Sequence, residues 1–264
     1  MISMYALLMN VLLWGAFSLT LSAESIEKKF QNVNDIKLKL VSGDCVIQQG
    51  SGSLVNIVLT YTYDPEDYDP EFYQSGSTLR LSEDFAHDSG SRSGMSKWQL
   101  TVPENTEIDF NTASGDLEIS DLKAKIKAEA ASGDITLNNI QADCEIGTVS
   151  GDMMVSGISL TGDSEFGAAS GDIEISLAKT TIYDIEMSTA SGNVSLDFAG
   201  NDIRGTITVT ARASQNRIRA PFDFDDEKFY TENGRDYVIK TVRKGDAKPM
   251  IVVNTVSGKA TLSK

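Results

Sequence analysis

The chain has 264 residues, 41% hydrophobic and 23% charged, which is enough for one domain with a real core or two small ones. Its 23 basic and 38 acidic residues leave −15 at pH 7, a poor match to nucleic acid or anionic lipid and a better one to cations, sugars or basic partners. One histidine, His87, excludes sites that need a histidine pair, and two cysteines exclude a disulfide scaffold.

Residues 1–23 carry no Asp, Glu, Lys or Arg, and Met4 to Leu21 is mostly apolar. The stretch ends in Leu21-Ser22-Ala23, a tolerable cleavage site, so 1–23 reads as a secretory signal peptide. An uncleaved membrane anchor and a buried core helix are the alternatives. No later segment is apolar and long enough to span a membrane once the signal is cut. The implied location is outside the cytoplasm, in the periplasm or on the cell surface.

Residues 24–110 open with alternation, Ile36-Lys37-Leu38-Lys39-Leu40, followed by a Ser42-Gly43-Asp44 corner. Leu54 to Tyr63 reads as a strand, Asp64 to Tyr73 as an acidic and aromatic stretch, and Ser89 to Ser96 as a Ser/Gly-rich loop. Trp98 to Val102 is a further strand, stopped by Pro103. This segment reads as a first rung with an elaborated β cap that blocks edge-to-edge pairing.

From residue 111 the tripeptide Ser-Gly-Asp recurs at Gly115, Gly133, Gly151 and Gly171, with variants at Gly192 (followed by Asn193) and Gly258 (followed by Lys259). The steps from Gly115 to Gly192 are 18, 18, 20 and 21 residues. Apolar residues follow each glycine at the second and fourth positions: Leu117/Ile119, Ile135/Leu137, Met153/Val155, Ile173/Ile175 and Val194/Leu196. Polar residues mostly stand between them, which is the alternation of a strand with one buried face. A second alternating strand precedes each corner, as in Ile126/Ala128 and Ile185/Met187. Glycine is expected to supply a positive φ at the bend, and the small residue two places before it (Ala113, Ala131, Val149, Ala169, Ala190) to fit a crowded inner corner.

One such unit buries four or five apolar side chains at roughly 1.5–3 kcal/mol each, against roughly 1–2 kcal/mol per residue to order about 18 of them. It cannot fold alone, whereas stacked units share a core and hydrogen-bond ladders. The predicted fold is therefore all-β: a single-domain β-solenoid, β-helix-like, of ~18–21-residue rungs over 111–264. A degenerate corner at Ala213 to Asn216 falls where the next rung is expected, an Asn233-Gly234 hairpin follows, and Ser257-Gly258 marks a final rung.

The phrase from Leu100 to Ile108, Leu-Thr-Val-Pro-Glu-Asn-Thr-Glu-Ile, followed by Asn111-Thr-Ala-Ser-Gly-Asp-Leu-Glu-Ile and the later Ser-Gly-Asp units, resembles a bacterial family. That family is the "putative adhesin" family of unknown function, built from Ser-Gly-Asp β-strand repeats. The resemblance runs from about Val33 to the C-terminus. It implies a β-solenoid in an exported or envelope protein and supplies no catalytic residues.

Candidate chemistry is sparse. Stacked in register, Asp116, Asp134, Asp152 and Asp172 form a column about 4.8 Å apart, with repulsion near 0.9 kcal/mol per adjacent pair in water. Either each carboxylate folds onto its own corner amides, or the column binds Ca²⁺ weakly; no other cofactor is implied. Tyr61, Tyr63, Tyr68, Phe72 and Tyr73, interleaved with Asp64, Glu66, Asp67, Asp69 and Glu71, either stack on a sugar or cover the solenoid end. Cys45 and Cys144 lie at inward phases on different rungs, which favours buried thiols over a disulfide. No paired-carboxylate constellation stands out, so an enzyme is not expected. The expected role is an exported, non-catalytic, adhesin-like scaffold binding a glycan or an envelope protein. A periplasmic accessory or sensing protein is the runner-up, and a polysaccharide-active enzyme comes third.

Overall fold

The computed structural model describes residues 23–86, 93–214 and 217–264, and no helix occurs among them. The signal-peptide reading, apart from Ala23, and the placement of His87 lie outside the described residues. The N-terminal third forms β1 (Glu24–Gln31), β2 (Asp35–Leu40), β3 (Asp44–Gln49), β4 (Leu54–Tyr61), β5 (Tyr68–Ser75), β6 (Thr78–Phe85) and β7 (Ser96–Val102). The middle forms β8 (Glu107–Thr112), β9 (Leu117–Ser120), β10 (Lys123–Ala130), β11 (Ile135–Asn138), β12 (Gln141–Ser150) and β13 (Met153–Leu160). It continues through β14 (Ser164–Ser170), β15 (Ile173–Leu177), β16 (Ile185–Ser191) and β17 (Val194–Asp197). The C-terminal part forms β18 (Gly205–Arg212), β19 (Ile218–Arg219), β20 (Asp226–Glu232), β21 (Arg235–Lys244), β22 (Met250–Thr255) and β23 (Ala260–Ser263).

The chain winds so that each coil gives one strand to each of two facing sheets. In the first sheet β3, β9, β11, β13, β15, β17 and β23 pair in parallel. In the second, β2, β8, β10, β12, β14, β16 and β22 do the same. Inward side chains alternate with outward ones along every strand, so Leu117, Ile135, Met153, Ile173 and Val194 stack on one wall of the core. Ile126, Cys144, Ile146, Phe166 and Met187 line the other. The alternation read from the sequence sets this register, because a one-residue slip would turn every apolar side chain outward.

The order in space departs from the order in sequence at both ends. β6 and β7 stack outside β2 and β3, so the 78–102 segment lies beyond the first Ser-Gly-Asp corner. At the other end β22 and β23 lie directly on β16 and β17, and β18 and β19 stack outside them. The corner at Ser257-Gly258 is thus an inner layer, and the degenerate one near Ser214 is the outer layer. The sequence expectation had them the other way round. A corner without glycine can sit only where no further coil presses on it.

Antiparallel strands close the edges. β4 pairs with β7 and β1 with β4; β5 pairs with β6; β21 pairs with β18 and β20 with β21. The β20–β21 hairpin turns at Asn233 (φ 49°) and Gly234 (φ 72°), as an Asn-Gly pair predicts. Opposite the glycine corners, a second bend is made by left-handed residues in successive coils: Asp121 (φ 53°), Asn139 (φ 52°) and Gly157 (φ 67°). Asn139 Nδ2 donates to Asp121 Oδ1 across one step (2.6 Å).

Candidate functional site

The recurring tripeptides converge into one column along a lateral edge of the stack. Its glycines are not there for a positive φ: none of the corner glycines has one. They are there for contact. A Cβ on Gly115 would lie 2.0 Å from the carbonyl oxygen of Gly43, and one on Gly133, Gly151 or Gly171 would lie 1.9–2.1 Å from the preceding corner's oxygen. On Gly192 and Gly258 the distances are 2.0 and 1.6 Å. The small residue two places earlier points outward, where Ala113, Ala131, Ala169 and Ala190 are exposed and Val149 is 59% exposed. The crowding predicted there belongs to the glycine instead.

The aspartates bind the next coil, not their own corner. Asp44 Oδ1 accepts from Asp116 N (3.1 Å), Asp116 from Asp134 N (2.9 Å), Asp134 from Asp152 N (2.8 Å) and Asp152 from Asp172 N (2.8 Å). Asp172 accepts from both Asn193 N (2.7 Å) and Asn193 Nδ2 (3.0 Å). Asn193 Oδ1 then accepts from Lys259 N (3.1 Å). The carboxylates are charged acceptors for amides that no sheet ladder serves, which offsets their mutual repulsion. Lys97 is the register partner of Asp44 and the Lys259 amide closes the other end, so a basic residue stands at each end of the column. Asp116, Asp134, Asp152 and Asp172 are therefore brought together in register. Each has one oxygen engaged by an amide, and among the described residues no group of three or more carboxylate, thiol or imidazole side chains is assembled around a metal position.

The column has polar ends. Up to its glycine each corner sends N–H groups toward the N-terminal coils and carbonyls toward the C-terminal ones, as in Ser132 N to Ala113 O and Ser150 N to Ala131 O; the direction reverses at the aspartate carbonyl. At the first end Glu83 Oε2 accepts from the amides of Val41 (2.9 Å), Ser42 (3.1 Å) and Gly43 (3.2 Å), three successive donors forming an anion nest. At the other end Arg217 donates to the carbonyls of Ser257 (3.0 Å) and Gly258 (3.1 Å). A buried acid and a base thus cap the column, as charged side chains cap a helix. The sequence reading missed both, because neither belongs to a repeat; for Arg217 the glycine missing from the Ala213 to Asn216 corner was the available signal, and for Glu83 there was none.

The aromatic stretch folds inward. Tyr61, Tyr63 and Tyr68 are buried, and Phe72 packs its ring 5.3 Å from that of buried Trp98. Tyr61, Tyr63, Tyr68 and Phe85 form a cluster with ring centroids about 5 Å apart, covering the end of the core. Of the five aromatics considered as a sugar platform, only Tyr73, 61% exposed, faces solvent. Buried rings cannot stack on a ligand. Burial raises the Tyr68 hydroxyl well above its ordinary value, with the Glu83 charge adding to the effect.

Both cysteines are free and buried, and burial pushes both thiols up; Glu83 and then Asp44 add to this at Cys45, Asp143 at Cys144. The outer face of the second sheet is acidic at mid-stack. Glu145, Glu165 and Glu186 stand opposite one another on adjacent strands beside an open hollow of about 380 Å³. Lys127 pairs with Glu145 (2.7 Å), and Lys248 pairs with Asp184. Burial opposes ionisation of Asp184, but Lys248 and the Met250 amide outweigh it and hold the carboxyl low.

The sequence model of the family described as Toastrack DUF4097 matches residues 17–228. Among solved structures, a Bacteroides fragilis protein named a "putative adhesin" is 11% identical, covers 91% of this chain and 96% of its own, and superposes with a TM-score of 0.46. A "putative cell adhesion protein" from Clostridium sporogenes is 14% identical, with 92% and 98% covered and a TM-score of 0.35. A "putative lipid binding protein" from Parabacteroides distasonis is 14% identical, with 92% and 97% covered and a TM-score of 0.38. Among curated proteins no match was found.

Proposed function

The chain belongs to the Toastrack DUF4097 family, and from that membership and the geometry above we propose that it is an exported, non-catalytic β-solenoid scaffold of adhesin type, its rungs closed by the N-terminal β cap. One observation carries the reading. The corner column locks successive coils in register, so that the outer faces of both sheets become long, flat arrays of aligned side chains. Such a surface suits contact with an extended partner, a glycan or an envelope protein, more than enclosure of a small substrate.

Fractionation of the native host, with protease treatment of intact cells, tests the proposal. Surface exposure is the expected result. Confinement to the periplasm would move the chain to the envelope accessory class. Retention in the cytoplasm would overturn the reading, and so would turnover of polymeric uronates by the purified chain.

A further inference from the structure

Glu83 carries an inference that the scaffold role does not require. It is 6% exposed, and every group around its carboxylate donates. Oε2 takes the amides of Val41, Ser42 and Gly43. Oε1 takes the hydroxyl of Tyr68 (2.9 Å), the indole N–H of Trp98 (3.1 Å) and the hydroxyl of Ser96. Tyr63, packed against Tyr68, adds a bond to the same corner through Ser42 (2.8 Å). One carboxylate therefore ties together the β2–β3 corner, the start of β5, β6 and the start of β7. None of the ion pairs among the described residues includes Glu83, so dipoles alone hold its charge.

The other titratable groups facing this site are Tyr68 from β5, Tyr63 from the loop after β4, and Cys45 from β3, with Asp44 beyond it and Lys97 at the start of β7. A protonated carboxyl donates from one oxygen, and here only the Ser96 and Tyr68 hydroxyls could turn to accept that hydrogen. Protonation therefore costs at least one present donor bond and turns the remaining charge-assisted bonds, the three corner amides included, into weaker neutral ones. We propose that Glu83 is an acid-opened latch: protonation frees the aromatic end cover around Tyr63, Tyr68 and Trp98 from the Val41–Gly43 corner while the central coils stay closed.

Burial works against the ionised form, but the donors outweigh it, led by Ser96 and then Trp98, and the carboxyl is held below its ordinary 4.5. The closed state is thus fully favoured above the ordinary carboxylate range and is lost as pH falls through the lowered value. The design offers many donors, one buried acceptor and no counter-cation, which makes the latch respond to protons and little to salt.

The test follows the indole N–H cross-peaks of the full chain by NMR between pH 7 and pH 2, with Trp14→Phe used to identify the Trp98 signal. The expected result is a shift of the Trp98 peak below pH 4.5 while amide peaks of Ile135 and Ile173 in the central coils hold their positions. Tyr68→Phe removes one donor to the ionised form and should move that midpoint upward by about one pH unit. A Trp98 peak that stays fixed until the whole spectrum collapses overturns the proposal. A midpoint that Tyr68→Phe leaves in place overturns it as well.

Discussion

Alanine at Gly151 places a methyl group 2.1 Å from the carbonyl oxygen of Gly133 and 2.7 Å from its carbon. Both are backbone atoms of the neighbouring coil, so no side chain can swing aside. An ordinary carbon–oxygen contact is more than an ångström longer, and the corners must separate by about that much. Separation stretches the bond from Ser150 N to Ala131 O (3.0 Å) and the bond from Asp152 N to the Asp134 carboxylate (2.8 Å). Overpacking costs about 1–3 kcal/mol, and the two bonds add about 1 and about 1.5–3 kcal/mol when lost, so a destabilisation of about 3.5–7 kcal/mol is expected. Gly147 and Gly167 are the internal controls: they lie in the same strands with nothing within 4 Å of a Cβ and no positive φ. Alanine there should be neutral or stabilising by about 0.5–1 kcal/mol. Equilibrium guanidinium unfolding of the three variants reads the difference as a shift in midpoint at constant slope. If Gly151→Ala and Gly147→Ala unfold within about 1 kcal/mol of each other, contact is not what the corner glycines provide.

The aspartate column makes a second prediction. Asp134→Asn keeps an oxygen for Asp152 N and removes repulsion from Asp116 and Asp152, so it should be neutral or stabilising by up to about 1 kcal/mol at low salt, fading as salt rises. Asp134→Ala loses the acceptor and should cost about 1–2 kcal/mol; equal behaviour of the two variants in thermal melts would remove the amide from the account. Because each of these carboxylates already binds an amide, melting temperatures in millimolar calcium and in chelator should coincide, and a rise of several degrees in calcium would restore the column as a cation site. Cys45 and Cys144 should both be silent to a thiol reagent in the native state and both react in concentrated guanidinium; a native count above zero would contradict their burial.

The repeat was legible because it obeys two local rules at once. Alternation fixes which side chains face the core, and a contact between coils demands glycine at one phase; both leave marks every 18 to 21 residues. The order of layers left no such mark. Nothing in Met250 to Ser263 says that its strands fit between those of Ile185 to Asp197 and those of Gly205 to Arg219, because all three present the same face to a neighbour. The role of glycine was misassigned for a related reason: a sequence shows that a Cβ is absent, not which neighbour forbids it. The tyrosines left two readings open, a sugar platform and an end cover, because aromatic and acidic residues alternate there. Such a stretch describes an exposed platform and a half-buried cover equally well until its partner strand is known. Glu83 was invisible as one acid among 38 acidic residues, since its meaning comes from donors on three separate segments.

The layer order has a consequence in time. A chain that emerges N-terminus first delivers β18 and β19 before β22 and β23, yet the later pair occupies the inner position. The surfaces of β16 and β17 therefore meet their final partners only after β22 and β23 have emerged, and Met250 to Ser263 act as a closing wedge. Trimming them would not shorten the stack by its outermost layer. It would remove a plank from the interior and leave the segment beyond it parted from the strands it rests on.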